Sequence, residues 1–287
     1  MRNTEHPGTP VDVDPAPAPF LKWAGGKRQL LTRILRDVPT TIGTYYEPFI
    51  GGGAVFFGLV ARGHRFERAV LGDANDELVR CYAAIQKDVE AVIAALSRHK
   101  YDREHYYEVR DRDPRKLSEA SAAARVIFLN RCGYNGLYRV NSKGVFNVPF
   151  GRYRNPVICD AGRLRAAARA LRGATLVHGD FQKTLQGVTA ADFVYFDPPY
   201  VPLSSTSSFT AYAQGRFDGA AQARLADLLR ELGERKVRAL LSNSDCDETR
   251  LLYRRLPRAK VPVRRAINSV AAGRGAVSEL LVKSFRY

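Results

Sequence analysis

The run Ala191-Asp192-Phe193-Val194-Tyr195-Phe196, followed at once by Asp197-Pro198-Pro199-Tyr200, constrains the fold of this chain more than any other stretch. Its apolar and aromatic character reads as a buried strand. Two prolines cannot continue a strand ladder, so the strand ends at the aspartate. A carboxylate, a stiff turn and an aromatic ring therefore stand at the carboxyl end of a buried strand, the edge where open α/β sheets bind ligands. The prolines remove two amide hydrogens and leave outward-pointing carbonyls as acceptors. An aspartate oxygen beside a proline carbonyl suits an NH2 group, and Tyr200 offers a flat face to a planar ring. Together they suit an exocyclic amine on a base. Taken alone, the tetrapeptide is equally a tight turn whose aspartate caps the next helix.

The rest of the chain supplies a partly regular α/β alternation. Tyr45 to Phe49 reads as a strand end, followed by Ile50-Gly51-Gly52-Gly53 and a helix over Ala54 to Ala61. A glycine turn between strand and helix lets backbone approach a ligand closely, although the spacing is not GxGxxG. A strand over Arg68 to Asp73 ends in an acid placed to take a ribose hydroxyl, or else to cap the helix around Asp76 to Ile85. Upstream, Phe20 to Lys27 brings Trp23 and a Gly-Gly-Lys before a short amphipathic helix, Arg28 to Asp37. The phosphate-loop spacing is absent there, so a glycine-rich cofactor entry with Trp23 as a wall is the better reading.

From Gln86 to Arg165 the alternation stops. Arg, Lys, Tyr and His interleave through Ser97 to Lys116, a helix is expected over Ser118 to Leu129, and a turn-rich stretch from Asn130 to Arg154 mixes rings, asparagines and arginines among glycines. That mixture suits base-edge and phosphate contacts, and the break marks a separate inserted subdomain. The alternation resumes with a strand over Ala174 to Val177, the Asp197 strand, a Ser/Thr-rich loop from Val201 to Phe217 expected to close over a ligand, and a helix over Gly219 to Gly233. Strands over Val237 to Ser242, Val261 to Ile267 and Glu279 to Phe285 complete the chain.

Charge and cysteines narrow the partner. Forty-five Lys and Arg against 29 Asp and Glu give a formal net charge of +16, which favours a polyanion. The four cysteines and the histidines show no metal-ligand spacing, so free thiols, a reducing cytoplasm and no metal are expected. No apolar run is long enough for a membrane helix. Met1 to Pro19, rich in proline, reads as a disordered tail.

Five stretches, in order, resemble the Dam-type DNA adenine-N6 methyltransferases, the alpha group of the D12 class. Phe20 to Lys27 matches the family's FLKWAGGK, and Glu47 to Phe56 its EPFxGxGxVF. Asn130 to Gly151 matches NRxGYNGLxRxN…GxFNVPFG, Asp197 to Tyr200 matches DPPY, and Leu241 to Asp245 is similar to LISNxD. The resemblance implies a Rossmann-like S-adenosylmethionine-dependent methyltransferase sheet with an inserted, mainly helical target-recognition domain. Residues 20–85 and 166–287 would form the catalytic domain and 86–165 the recognition domain, after a tail over 1–19. It implies that Trp23, Lys27, Asp73 and Asp197 line the cofactor site, that Gly51 and Gly53 form the close-approach turn, and that Phe181 packs on the cofactor adenine. Lys22, Leu137, Arg139, Pro149 and Tyr153 fall on base-reading positions, and Tyr134 and Asn135 on positions inserted into the duplex. A lysine-bearing GGTRKK-like loop is replaced here by Ala271 to Ala276, which weakens phosphate contact there.

The expected activity is methyl transfer to N6 of an adenine flipped out of double-stranded DNA, within GATC. Asp197, Pro198 and Tyr200 form the catalytic set, and the chain is expected to work as a cytoplasmic monomer with no obligate protein partner and no membrane. Two other readings stand beside it: a methyltransferase acting on an amine in RNA or protein, and a DNA-binding module without activity.

Overall fold

A computed structural model describes residues 15–23, 27, 30–201, 217–264 and 276–286. Most of the expected tail (1–14), most of the expected closing loop (202–216), the glycine pair at 25–26 and the loop over 265–275 lie outside the described residues.

Seven strands form one mixed sheet: β1 (Thr41–Glu47), β2 (Arg65–Asp73), β3 (Thr175–His178), β4 (Phe193–Phe196), β5 (Arg238–Ser244), β6 (Arg258–Arg264) and β7 (Ala276–Lys283). They lie in the order β3-β2-β1-β4-β5-β7-β6. The first five are parallel, while β7 runs antiparallel between β5 and β6. Every residue of β4 is buried, as a short continuous apolar run at the centre of a parallel sheet requires. Alternate side chains enter two cores. Tyr45, Tyr195 and Leu240 join one, and Tyr46, Val194, Phe196 and Leu241 the other.

Ten helices surround the sheet among the described residues: α1 (Leu31–Asp37), α2 (Ala54–Ala61), α3 (Asp76–Lys87), α4 (Val89–Leu96), α5 (Arg103–Asp111), α6 (Glu119–Cys132), α7 (Ala161–Leu171), α8 (Phe181–Thr184), α9 (Gly219–Glu234) and α10 (Asp247–Leu252). The α/β sheet is Rossmann-like, as the sequence leads one to expect. β1 connects to β2 on one side and β4 to β5 on the other, so the strand order reverses between β1 and β4. A crevice opens there at the carboxyl ends, and it receives the glycine turn after β1 and the proline turn after β4.

Between β2 and β3 the chain passes through α3 to α7. α6 packs on α3 and α4, and one continuous hydrophobic cluster runs from Tyr45 and Leu71 through Tyr82 to Tyr106, Phe128 and Val148. Arg125, 3% exposed, pins three elements: its guanidinium donates to Glu77 Oε2 at 2.9 Å, to Val109 O at 3.0 Å and to Arg110 O at 2.7 Å. α5 occupies the stretch of interleaved Arg, Lys, Tyr and His, where Tyr106 and Val109 are buried in the core while Asp102 caps its first turn. Asp73 is not a helix cap. Asn75 caps α3 by accepting from Leu78 N, which frees the Asp73 carboxylate for the crevice.

Candidate active site

Asp197 stands at the end of β4, and both of its side-chain partners bond Oδ1. Lys27 Nζ, itself buried, lies 2.7 Å away and Ser242 Oγ 3.2 Å away. Ser242 Oγ is also 2.9 Å from the Tyr195 hydroxyl. Burial raises the Asp197 carboxyl, and the Lys27 ammonium and the Ser242 hydrogen bond oppose that rise. The turn beyond it is clamped. Gln222 Nε2 on α9 donates to Pro199 O at 3.0 Å, Val201 N donates to Asn243 Oδ1 at 3.3 Å, and Ser244 Oγ donates to Val201 O at 2.8 Å. The expectation of outward-pointing carbonyls therefore fails at Pro199, whose carbonyl holds the turn against α9. Tyr200 donates its hydroxyl to Glu279 Oε2 at 2.5 Å, and Lys27 Nζ sits 4.6 Å from its ring centroid.

The other wall is the glycine turn. Gly51 and Gly53 have φ of +45° and +71°, which a side chain would strain, and a Cβ on Gly51 would lie 2.8 Å from the Trp23 indole. Asp73 holds this turn from the end of β2: Oδ2 accepts from Gly51 N at 3.1 Å and Oδ1 from Asn75 N at 3.0 Å. Trp23 stacks on Tyr138, with centroids 5.6 Å apart. Phe181 is nearly enclosed, with Phe49 stacked at 5.6 Å and the Arg224 guanidinium 5.1 Å from its ring.

Two acids of the crevice were absent from the sequence-derived site set. Glu47, at the end of β1, is 2% exposed, and its Oε2 accepts from Tyr45 OH at 2.7 Å and from Phe56 N at 3.1 Å. Burial above all raises its carboxyl from 4.5 to about 8. Its position, one carboxylate before a glycine turn, is a signal the sequence does contain. Glu279 on β7 has no such signal, since only the strand order brings it to Tyr200.

The expected base-reading residues gather around a second constellation. Asn130, at the end of α6, fixes the Lys22 backbone, accepting from its N–H at 2.7 Å and donating to its carbonyl at 2.6 Å, and it also donates to Gly136 O at 2.9 Å. Lys22 Nζ lies 4.1 Å over the Tyr153 ring. Burial, then the Arg131 charge, lowers the Lys22 ammonium. A cavity of about 210 Å³ beside them is lined by Lys22, Arg131, Tyr153 and Arg154 among others. Tyr134 is 52% exposed, and Asn135 beside it adopts φ +54°, so this turn projects from the surface. Leu137 is half-buried, and Pro149 is exposed with its carbonyl accepting from Tyr134 N at 2.9 Å. Arg139 is exposed, but its guanidinium bonds Asn147, Nε to Oδ1 at 2.7 Å. Among the described residues no group of three or more His, Cys, Asp or Glu could hold a metal ion, and no helix is long and apolar enough to cross a membrane.

Known proteins resemble this chain in sequence. A family model described as D12 class N6 adenine-specific DNA methyltransferase matches residues 23–269. The chain is 40% identical over 275 residues to the Type II methyltransferase M1.LlaDCHI of Lactococcus lactis subsp. cremoris, covering 93% of this chain and 95% of that one. It is 41% identical over 286 residues to the Type II methyltransferase M.MjaIII of Methanocaldococcus jannaschii, covering 93% and 99%. The DNA adenine methylase of Escherichia coli (strain K12) is 37% identical over 266 residues, covering 91% and 93%.

Proposed function

Since the chain belongs to the D12 class N6 adenine-specific DNA methyltransferases, we propose that it flips one adenine out of duplex DNA, within GATC, and methylates N6 with S-adenosylmethionine as donor. The observation that carries this reading is the Asp197-to-Tyr200 turn at the end of β4, beside the strand that leads to the Gly51-to-Gly53 turn, with Lys27 touching both the carboxylate and the ring.

The residues fit that donor. Strands β2 and β4, on either side of β1, end in or just before half-buried acids, Asp73 and Asp197, with Lys27 the buried ammonium beside Asp197. That arrangement suits a cationic ligand with a ribose, Asp73 taking the hydroxyls and Trp23 closing one side. Phe181 is the ring assigned to the donor's adenine. Bound S-adenosylmethionine would supply an electrophilic methyl group on a sulfonium.

The chain's own part is to make a weak nucleophile attack. Asp197 and the Pro198 carbonyl accept the N6 hydrogens, which draws the nitrogen lone pair out of the ring system. The nitrogen so exposed would take the methyl group that the bound donor would supply, the S–C electron pair staying with the donor's sulfur and the N6 proton leaving to solvent. Burial disfavours the charged Asp197 carboxylate, which is the better acceptor, and Lys27 at 2.7 Å opposes that effect. Extruding the base costs a few kcal/mol, and stacking on Tyr200 offsets part of that. Tyr134 and Asn135, on their projecting turn, fill the gap left in the duplex.

GATC is supported by Lys22, Leu137, Arg139, Pro149 and Tyr153 together. Arg139 suits guanine O6 and N7, and Leu137 and Pro149 suit a thymine methyl. Residues 86–165 are the recognition part and 20–85 with 166–287 the catalytic part. One copy methylates one strand at a time, so a cytoplasmic monomer without a protein partner suffices. DNA from cells expressing the protein should resist a nuclease blocked by GATC adenine methylation and become sensitive to one that requires it. Unchanged cutting by both, with active protein present, rules GATC out.

A further inference from the structure

A tyrosine that only had to stack on a base would need no hydroxyl, since phenylalanine presents the same face. Tyr200 instead spends its hydroxyl on a carboxylate 79 residues away in sequence, at 2.5 Å, within the range of a charge-assisted O–H···O⁻ bond. Glu279 reaches it because β7 lies beside β5, with Glu279 opposite Ser244 and, on the other side, Val261. Placing a carboxylate there carries a penalty: the Asp197 charge is close enough to act on the same phenol, which burial, Asp197 and Glu279 together push up.

Bond geometry shows what the contact does. The torsion that turns an aromatic ring about its Cβ–Cγ bond is broad, so packing or bonding must choose the plane of the ring. The backbone of Tyr200 is fixed by the clamped turn, through Gln222 on Pro199 O and Asn243 on Val201 N. Glu279 fixes the far end of the ring, and Lys27 occupies a position over one face. Three anchors therefore define the plane before any base arrives.

We infer that Glu279 is a positioning residue that holds the Tyr200 ring in the plane on which the extruded adenine stacks. This rests on the base-extrusion reading above. Holding the ring beforehand means that the entering base meets a fixed surface rather than one it must order.

The test uses a duplex carrying 2-aminopurine at the target position, whose fluorescence rises on extrusion, and single-turnover methyl transfer to the unmodified duplex. Glu279→Ala and Tyr200→Phe should each reduce the extrusion signal and slow transfer about tenfold, with duplex affinity little changed. Glu279→Gln, which can still accept the hydroxyl, should recover most of the loss. The double variant Glu279→Ala/Tyr200→Phe should be no slower than the slower single one, because both remove the same bond. Tyr200→Phe keeps the carboxylate in place, so it decides the matter if Glu279→Ala does not fold. Wild-type rates and signals in folded variants, or fully additive losses, overturn the role of Glu279 alone. A wild-type enzyme with no extrusion signal overturns the base-extrusion reading and this inference with it.

Discussion

Replacing Asp197 with alanine should abolish methyl transfer and leave duplex binding intact, because the proposed acceptor of the amino group is lost while the proposed DNA-reading residues lie elsewhere. Near-normal turnover in a filter-bound methyl-transfer assay would refute its role. Glu47 predicts a pH effect on stability. Its folded carboxyl stays protonated up to about 8, against 4.5 for the ordinary group, chiefly because burial disfavours the charge. Between those values the folded protein holds a proton that the unfolded chain has released. Stability should therefore fall as pH rises from about 4.5 to about 8 and level off above, by on the order of a few kcal/mol. Glu47→Gln keeps one oxygen for Tyr45 OH and Phe56 N, both of which bond the same oxygen now, and removes the charge. Urea melts should show a flatter pH dependence in the variant; parallel curves would contradict the assignment. Asn147 holds the Nε side of the Arg139 guanidinium and so orients it. Arg139→Ala should cost about 1–3 kcal/mol at one base pair and relax specificity there, with little change in nonspecific binding, as competition among single-substitution duplexes would show.

Among elements, α6 depends most on one side chain. Arg125→Met would leave Glu77 and two carbonyls of α5 without their buried partner. A loss on the order of 3–5 kcal/mol in chemical denaturation is expected, and a change below about 1 kcal/mol would show that α6 is held by packing alone. The elements that sequence reads well are those with their own chemistry. α2 occupies Ala54–Ala61 as expected, and α9 and the core of β4 lie where their patterns place them. α5 and α10 were passed over because their apolar residues are too few to show a period: Tyr106 and Val109 are the buried pair in α5, and Thr249 is the buried residue of α10. The site was legible wherever a residue type announced itself at a strand end, as with Asp197, Asp73 and the glycine turn. It was illegible where partnership depends on strand order, as with Glu279 on Tyr200, or on a helix behind the turn, as with Gln222 on Pro199.

At the scale of the whole molecule, a net charge of +16 should make duplex binding strongly dependent on salt, since each neutralised phosphate releases counterions. A flat log–log plot of affinity against ionic strength would contradict this. The strand order has a further consequence in time. β6 precedes β7 in the chain, yet β7 is the strand that joins β6 to β5. While the polypeptide is being synthesised, β6 can only wait, and the parallel half ends in an open edge until residues 276–283 emerge. Such long-range pairing is slow to form, so a nascent chain already holding Asp197 still lacks the carboxylate that steadies Tyr200. A fragment ending at Arg264 should transfer no methyl group, and in refolding the activity should appear with the last kinetic phase. Synthesis order itself would then act as a timer, keeping a base-modifying enzyme silent until β7 has emerged.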